Sequence, residues 1–264
     1  MNIKSRLLSE ETIVGCFACI PHPVAIEVCA AQGLDVLCID AEHSQLDRSE
    51  IENLVRACEV HGATAMVRVP GAHPEWIASA LDSGARAILV PRVSSADEAA
   101  MVVKWGRYAP VGERGAGPGR ASRYGYNLGP HLASANEEII LAVQIETKAG
   151  LDQLELIAAV PGIDMLFVGP GDLAMSLGAT GPQGAAVLDA AVERIGAAAR
   201  SAGKVAGIFR PSAADIGRWT SAGFSFFLIG SDTWFIGCGL AEMKKAAQSM
   251  VSRASFHPDS PVLP

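Results

Sequence analysis

Apolar and polar residues fall in blocks along this chain, and the blocks alternate between two periods. Eight short runs rich in β-branched and aromatic residues recur: TIVGCFAC (12–19), DVLCID (35–40), TAMVRV (64–69), RAILVP (86–91), LAVQIE (141–146), DMLFVG (164–169), VAGIFR (205–210) and FSFFLIG (224–230). Each is almost continuously hydrophobic, the pattern of parallel strands covered on both faces. Between them apolar residues return at helical spacing over 23–32, 48–61, 74–83, 96–106, 148–159, 185–202, 213–222 and 239–250. Eight strands alternating with helices predict an α/β fold, a (β/α)8 TIM barrel, in a single domain over 1–264. Five predicted helices stop at a glycine just before the next strand, in AQGLD, VHGAT, DSGAR, SAGKV and SAGFS. That is the signature of a helix C-cap leading into a strand. The longest stretch with neither period, 108–128, reads YAPVGERGAGPGRASRYGYNL. A connection of that length is expected to serve function. From about 254 the tail is expected to be irregular.

Composition narrows the partners. With 264 residues, 50% of them hydrophobic, the chain can bury one large core. A formal charge of -7 and scattered Lys and Arg residues argue against nucleic acid as a partner. No apolar run approaches the roughly 20 residues that span a bilayer, so no membrane partner and a cytoplasmic location are expected. Of six cysteines, Cys29, Cys38 and Cys58 sit in apolar or helical patterns where a thiol acts as a small buried hydrophobe, and no disulfide is expected. Cys16 and Cys19 spell CxxC, but without a second CxxC or a His pair the structural reading is preferred to zinc.

In such a barrel the chemistry gathers at the C-terminal ends of the strands. Asp40, Glu42 and His43 stand at the end of the second run, Arg68 in the third, Gln144 and Glu146 at the fifth. Gly169, Pro170, Gly171 and Asp172 follow the sixth, Arg210 ends the seventh, and Ser231 and Asp232 follow the eighth. Glu146 and Asp172 come off neighbouring strands, and two like charges converging on one point call for a cation. Hard oxygen donors without a nearby Cys favour Mg²⁺ or Mn²⁺. The competing reading is that each carboxylate caps the helix behind it. His43 beside two carboxylates suits proton transfer, because a carboxylate orients an imidazole and tunes its basicity. Arg68 lies inside a strand, where its guanidinium either faces an anion at the barrel mouth or pairs with Asp40 or Glu42. No lysine projects inwards from a strand; Lys148 comes nearest, in the first turn of a helix. Metal-stabilised enolate chemistry is therefore preferred to a Schiff base.

Taken together, DAEH (40–43), VRV (67–69), LDSGARAILVP (81–91), QIET (144–147) and VGPGDLAMSLG (168–178) resemble the metal-dependent pyruvate aldolases of the HpcH/HpaI family, over about 15–232. The resemblance implies a barrel of the phosphoenolpyruvate/pyruvate type. It implies a class II aldolase, a carbon-carbon lyase that forms or cleaves a 4-hydroxy-2-oxo acid through a metal-bound pyruvate enolate and an aldehyde. It casts Glu146 and Asp172 as ligands of Mg²⁺ or Mn²⁺, with Co²⁺ also accommodated. Gln144, Gly171, Asp172 and Arg68 become substrate contacts, His43 the base with Asp40 in its catalytic group, and Arg68 the residue that offsets the enolate charge. Asp82 becomes an acid that raises the basicity of the histidine. It precedes the fourth strand, at the wrong end of its own barrel, so that role requires a neighbouring subunit. A homo-oligomer is thus implied, hexameric in the family.

The chain departs from the family pattern in the GPG spacing of 108–128, where acceptor specificity is expected. Arg114, Arg120 and Arg123 there either meet a carboxylated substrate or lie on the surface. The segment ACIPHP (18–23) also lacks a serine-rich stretch seen in some members. Two other functions compete: a citrate-synthase-like enzyme of siderophore biosynthesis joining oxaloacetate and acetyl-CoA, and a barrel that binds a metal and an oxo acid without turnover.

Overall fold

The structure, a computed structural model, describes residues 2–254, so the expected irregular tail lies outside the described residues. Eight parallel strands close into a barrel in sequence order: β1 Ile13–Ala18, β2 Val36–Asp40, β3 Thr64–Arg68, β4 Ala87–Val90, β5 Ile140–Ile145, β6 Met165–Val168, β7 Val205–Arg210 and β8 Phe226–Ser231. Each falls inside or within one residue of its predicted run. The fold is a (β/α)8 TIM barrel.

Two cores explain why the strands read as unbroken apolar runs. Ile13, Phe17, Cys38, Met66, Leu89, Phe167 and Phe226 point inwards and fill the barrel. Leu37, Ile39, Val67, Ile88, Val143 and Leu166 point outwards and pack beneath the helices. Successive side chains of a strand face opposite ways, so a strand buried on both faces has no polar side to show. A short helix unforeseen in the sequence, α1 Ile3–Leu8, precedes β1. Its Ile3 and Leu7 join the inner core, and Lys4 bonds Ile139 O at 3.2 Å and Asp164 at 2.9 Å. Six residues are too few to display a period.

The helices α2 Pro23–Ala30, α3 Arg48–Val60, α4 Pro74–Asp82 and α5 Ala96–Gly106 follow β1 to β4. Asp47 and Glu50 start α3 with a reciprocal capping box, while α2 and α4 begin with a proline, which has no N–H to leave orphaned. The five C-cap glycines read from the sequence, Gly33, Gly62, Gly84, Gly203 and Gly223, all have positive φ, from 66° to 102°. The 108–128 connection is irregular as expected, apart from a 3₁₀ turn at Arg120–Ser122. Beyond it comes α6 Leu128–Glu138, missed because His131 and Ala135 are its only buried side chains and no apolar stripe results.

The predicted helix over 148–159 is two, α7 Lys148–Asp152 and α8 Leu154–Ala158, separated at Gln153. Then follow α9 Pro170–Ser176, α10 Gly181–Ser201, α11 Ile216–Ser221 and α12 Asp232–Ala254. α12 starts directly off β8, well before the expected 239. Every side chain of α12 from Thr233 to Val251 is exposed, including Trp234, Phe235, Ile236, Leu240 and Met243. Among the described residues, no helix is long and apolar enough to cross a membrane.

Candidate active site

Strand register builds the first half of the site. Asp40 ends β2, and the β2–β3 pairing sets it directly opposite Arg68. Arg68 Nε and Nη2 therefore donate to the two oxygens of Asp40 at 2.9 and 2.7 Å, a bidentate bond between buried groups. Nη1 lies 3.3 Å from Glu42, and the guanidinium carbon stands 4.4 Å over the Phe17 ring. Burial opposes the charge on Arg68, but the bonds to Asp40 and the attraction of nearby acids outweigh it and raise its pKa. Asp40 Oδ1 also accepts the N–H groups of Glu42 at 3.1 Å and His43 at 3.3 Å. One carboxylate thus holds the guanidinium and folds the turn carrying the histidine. The His43 ring reaches into solvent, 63% exposed, with Nε2 3.6 Å from Glu42.

The second half comes from β5 and the turns after β4 and β6. Glu146 Oε1 accepts the Arg92 N–H at 2.8 Å, and Oε2 accepts from Gln144 Nε2. Arg92 makes that bond at φ 56°, a left-handed conformation costly for a residue with a Cβ. Gly169 closes the corner: a Cβ there would stand 2.4 Å from Glu146 Oε2 and 2.6 Å from Gln144 Nε2. Burial, reinforced by the charges of Glu42 and Asp172, pushes the Glu146 carboxyl up to about 7. Burial likewise raises Glu42, with Arg68 and His43 opposing and Asp40 and Asp172 adding to the shift. Glu42, Glu146 and Asp172 are thus within electrostatic reach of one another; Arg68 and His43 offset Glu42, and the bonds from the Arg92 N–H and Gln144 offset Glu146.

These groups surround a cavity of about 300 Å³ at the C-terminal mouth of the barrel, lined by Asp40, His43, Arg68, Gln144, Gly171 and Asp172. Phe17, Cys19, Phe167 and Phe209 line the remainder. Larger clefts lie elsewhere; one of about 460 Å³ gathers Arg86, Arg120, Arg123 and His131, but Arg86 and Arg120 are tied to Glu138 and Glu59. The mouth alone combines an acid–base pair, a fixed cation and clustered carboxylates.

The donor set there fits a hard divalent ion. Among the described residues no three His, Cys, Asp or Glu side chains are arranged to hold a metal by themselves. Asp172 lines the same cavity as Gln144, Glu146 is bonded to Gln144 Nε2, and Gln144 Oε1 is a buried acceptor with no donor. Mg²⁺ accepts such a sparse oxygen set because it keeps several waters and substrate atoms.

Some expected residues are not brought together. Asp82 ends α4, at the opposite end of the barrel from the mouth, where Arg114 Nη2 donates to it at 2.7 Å. Within one chain it does not join His43. Arg114 is fully enclosed, 4.5 Å from the Tyr108 ring, and Arg120 bonds Glu59 and Ser83 O, so neither lines the mouth. Arg210 turns away from the cavity towards Asp215 and the Trp219 ring. All six cysteines are free thiols; Cys16 faces the helices and Cys19 the barrel interior, so the CxxC pair does not converge. Glu42 takes both places expected of it, beside His43 and Arg68, whereas Phe17, Phe209 and the Arg92 N–H had no expected role. An amide and two phenylalanines in strands carry no chemical signature until the barrel closes.

A closed parallel barrel with an acid–base pair, a fixed guanidinium and clustered carboxylates at its strand ends defines a (β/α)8 barrel enzyme. The chain belongs to the HpcH/HpaI aldolase/citrate lyase family, whose model matches residues 14–236, and it is an aldolase of that family. It is 38% identical over 233 residues to the hydroxypyruvate/pyruvate aldolase of Roseovarius nubinhibens, covering 88% of this chain and 90% of that protein. The crystal structure of an HpcH/HpaI aldolase/citrate lyase family protein from Burkholderia cenocepacia matches with a TM-score of 0.86 at 34% identity, over 94% of this chain and 98% of that one. The citrate synthase SbnG matches with a TM-score of 0.87 at 31% identity, over 95% of this chain and 99% of that one.

Proposed function

We propose that the protein is a divalent-metal-dependent pyruvate aldolase that joins pyruvate to an aldehyde, or cleaves the resulting 4-hydroxy-2-oxo acid. The observation that carries this reading is the single cavity bordered by Arg68, His43, Gln144 and Asp172, with Glu146 bonded behind Gln144. Glu146 and Asp172 would hold Mg²⁺ or Mn²⁺, which when bound polarises a keto oxygen and makes an adjacent methyl group acidic. Gln144, Arg68 and the backbone at Gly171 would bind and orient the oxo acid. His43 takes a methyl proton from pyruvate, and Glu42 steadies the imidazolium that forms. Arg68, locked by Asp40, offsets the enolate charge with no reorganisation during the reaction. The enolate carbon then bonds the aldehyde carbon, whose oxygen takes the proton back from His43. Cleavage runs the same steps in reverse.

The exposed apolar face of α12 supports a homo-oligomer. In a (β/α)8 barrel the helix after β8 sits beside the helix after β1. Here Val24 and Val28 of α2 are 56% and 60% exposed, and α12 leaves its own apolar side chains uncovered. A second copy of the chain supplies matching apolar surface for both.

The test is deuteration of the pyruvate methyl group in D2O, with protein stripped by chelator and resupplied with Mg²⁺ or Mn²⁺. Exchange that needs the metal and disappears in His43→Ala is expected; its absence with every metal would falsify the proposal. Condensation of oxaloacetate with acetyl-CoA is a second reading, favoured by the likeness to SbnG. Release of free CoA without methyl exchange would replace the aldolase reading with it.

A further inference from the structure

Asp232, the first residue of α12, is 3% exposed, and among the described residues its carboxylate accepts only backbone N–H groups. Oδ1 and Oδ2 take the Cys19 amide at 3.0 and 3.1 Å, Oδ2 takes that of Ile20 at 2.9 Å, and Oδ1 takes that of Thr233 at 2.7 Å. A carboxylate buried without a paired cation is costly unless hydrogen bonds replace its water. The ladder explains the arrangement. β1 ends at Ala18 and β8 at Ser231, where Phe17 pairs with Ser231, and beyond Ser231 the chain turns into a helix. The Asp232 carboxylate therefore supplies the acceptors that a longer β8 would have offered to Cys19 and Ile20. The corner held in this way reaches the Arg68–Asp40 pair at two points. The Arg68 guanidinium carbon stands 4.4 Å over the Phe17 ring, and Cys19 Sγ lies 3.9 Å from Asp40 Oδ2. Asp232 itself does not line the cavity.

We infer that Asp232 is a positioning residue for the reaction: by anchoring the end of β1 it holds Phe17 and Cys19 against Arg68 and Asp40, and so fixes the guanidinium that offsets the enolate charge. The inference rests on the aldolase reading. Charge develops on the substrate only as the methyl proton leaves, so Arg68 helps most when it is in place beforehand. Asp40 fixes two of its nitrogens, but a bidentate pair can still swing as a unit. The Phe17 ring against the guanidinium and the thiol against Asp40 Oδ2 block that swing, provided the end of β1 is itself held. The other side of the mouth hangs on different bonds. Glu146 is fixed by the Arg92 N–H and Gln144, neither of which touches Asp232 or the end of β1. Loosening of the β1 end is therefore felt at the β2 corner, where Asp40 Oδ1 accepts the Glu42 and His43 amides, and not at the end of β5.

The test substitutes Asp232→Asn in the full chain, which keeps the shape of the side chain and one acceptor oxygen. Amide hydrogen exchange read by mass spectrometry needs neither metal nor turnover. Exchange in peptides covering Glu42 and His43 is expected to quicken about tenfold, while peptides covering 144–147 keep their protection. With Mn²⁺ and pyruvate, kcat for methyl exchange is expected to fall about tenfold and KM to change less than about threefold, since the loss falls on charge present only in the transition state. In an Arg68→Lys background the same substitution should cost less than about twofold, because the group it positions is already gone. Equal losses in the two backgrounds, unchanged protection at 42–43, or a uniform rise in exchange along the chain each overturn the inference and leave Asp232 as a cap of α12. Should Asp232→Asn not fold, Asp232→Ser, smaller and still able to accept an amide, is read in the same way. Absence of methyl exchange in the unaltered protein overturns the aldolase reading, and hydrogen exchange at 42–43 still decides whether Asp232 holds the β2 corner.

Discussion

At the scale of single residues, the site depends on one buried ion pair. Arg68 and Asp40 are paired by bidentate hydrogen bonds in a space that admits little water, so neither tolerates loss of the other. Asp40→Ala strands a buried guanidinium and unravels the turn to His43, and a loss of about 3 to 5 kcal/mol in unfolding free energy is expected by urea titration. Arg68→Lys keeps the charge but not the fork. Pyruvate methyl exchange should fall about 10²-fold with the fold intact, because a single ammonium cannot hold Asp40 and face the enolate together. His131 gives a pH-dependent case. Burial, with Arg114 and Arg86 nearby, holds its pKa below the usual 6.5. A base depressed in the folded state binds fewer protons there than when unfolded, so its contribution is fully present above pH 6.5 and is lost as pH falls through the folded value. Thermal melts from pH 7.5 to 5 should show a smaller decline for His131→Gln than for the unaltered chain.

At the scale of elements, the strand-to-helix corners do the positioning. Gly169 lets the corner after β6 pass against Glu146 and Gln144, and any Cβ there meets both. If Glu146 holds the metal as proposed, Gly169→Ala should weaken Mn²⁺ binding, read by calorimetry, by about tenfold or more, since a displaced carboxylate loses its geometry. Remote from the mouth, the Asp47 capping box at the start of α3 concerns stability. Asp47→Ala should cost about 1 kcal/mol in denaturant unfolding. The three helices outside the predicted helical runs, α1, α6 and α9, share one property: their buried side chains are too few or too widely spaced to make a stripe.

At the scale of the whole molecule, the uncovered apolar side chains of α12 and the role proposed for Asp82 both bear on the homo-oligomer proposed above. Light scattering on the purified protein should give a multiple of the 27.5 kDa chain mass. The double variant Trp234→Glu, Leu240→Glu should shift it towards the monomer, because a charge on a buried apolar face opposes association. If Asp82 serves a neighbour's histidine, each of His43→Ala and Asp82→Asn loses methyl exchange alone. Co-assembled subunits of the two variants should then regain part of it. No recovery in proven mixed oligomers would remove Asp82 from the catalytic group.

Much of this protein was legible before folding. Parallel strands buried on both faces must be apolar throughout, helices between them must end where glycine permits the turn, and site residues of such a barrel must lie where strands stop. Those three constraints are local, and they brought out the eight strands, most of the helices, and Asp40, His43, Arg68, Gln144, Glu146 and Asp172. Tertiary structure alone decided the rest, because it depends on which side chains meet across the barrel. Register set Arg68 opposite Asp40 and settled the ambiguity between anion site and ion pair: the guanidinium is bound to the carboxylate and still borders the cavity. Barrel closure brought Phe17 beside Phe209, residues separated by most of the chain, and so made a wall with no sequence signature. The path of the 108–128 connection carried Arg114 and Arg120 to the far end of the barrel, where Arg114 meets the carboxylate of Asp82.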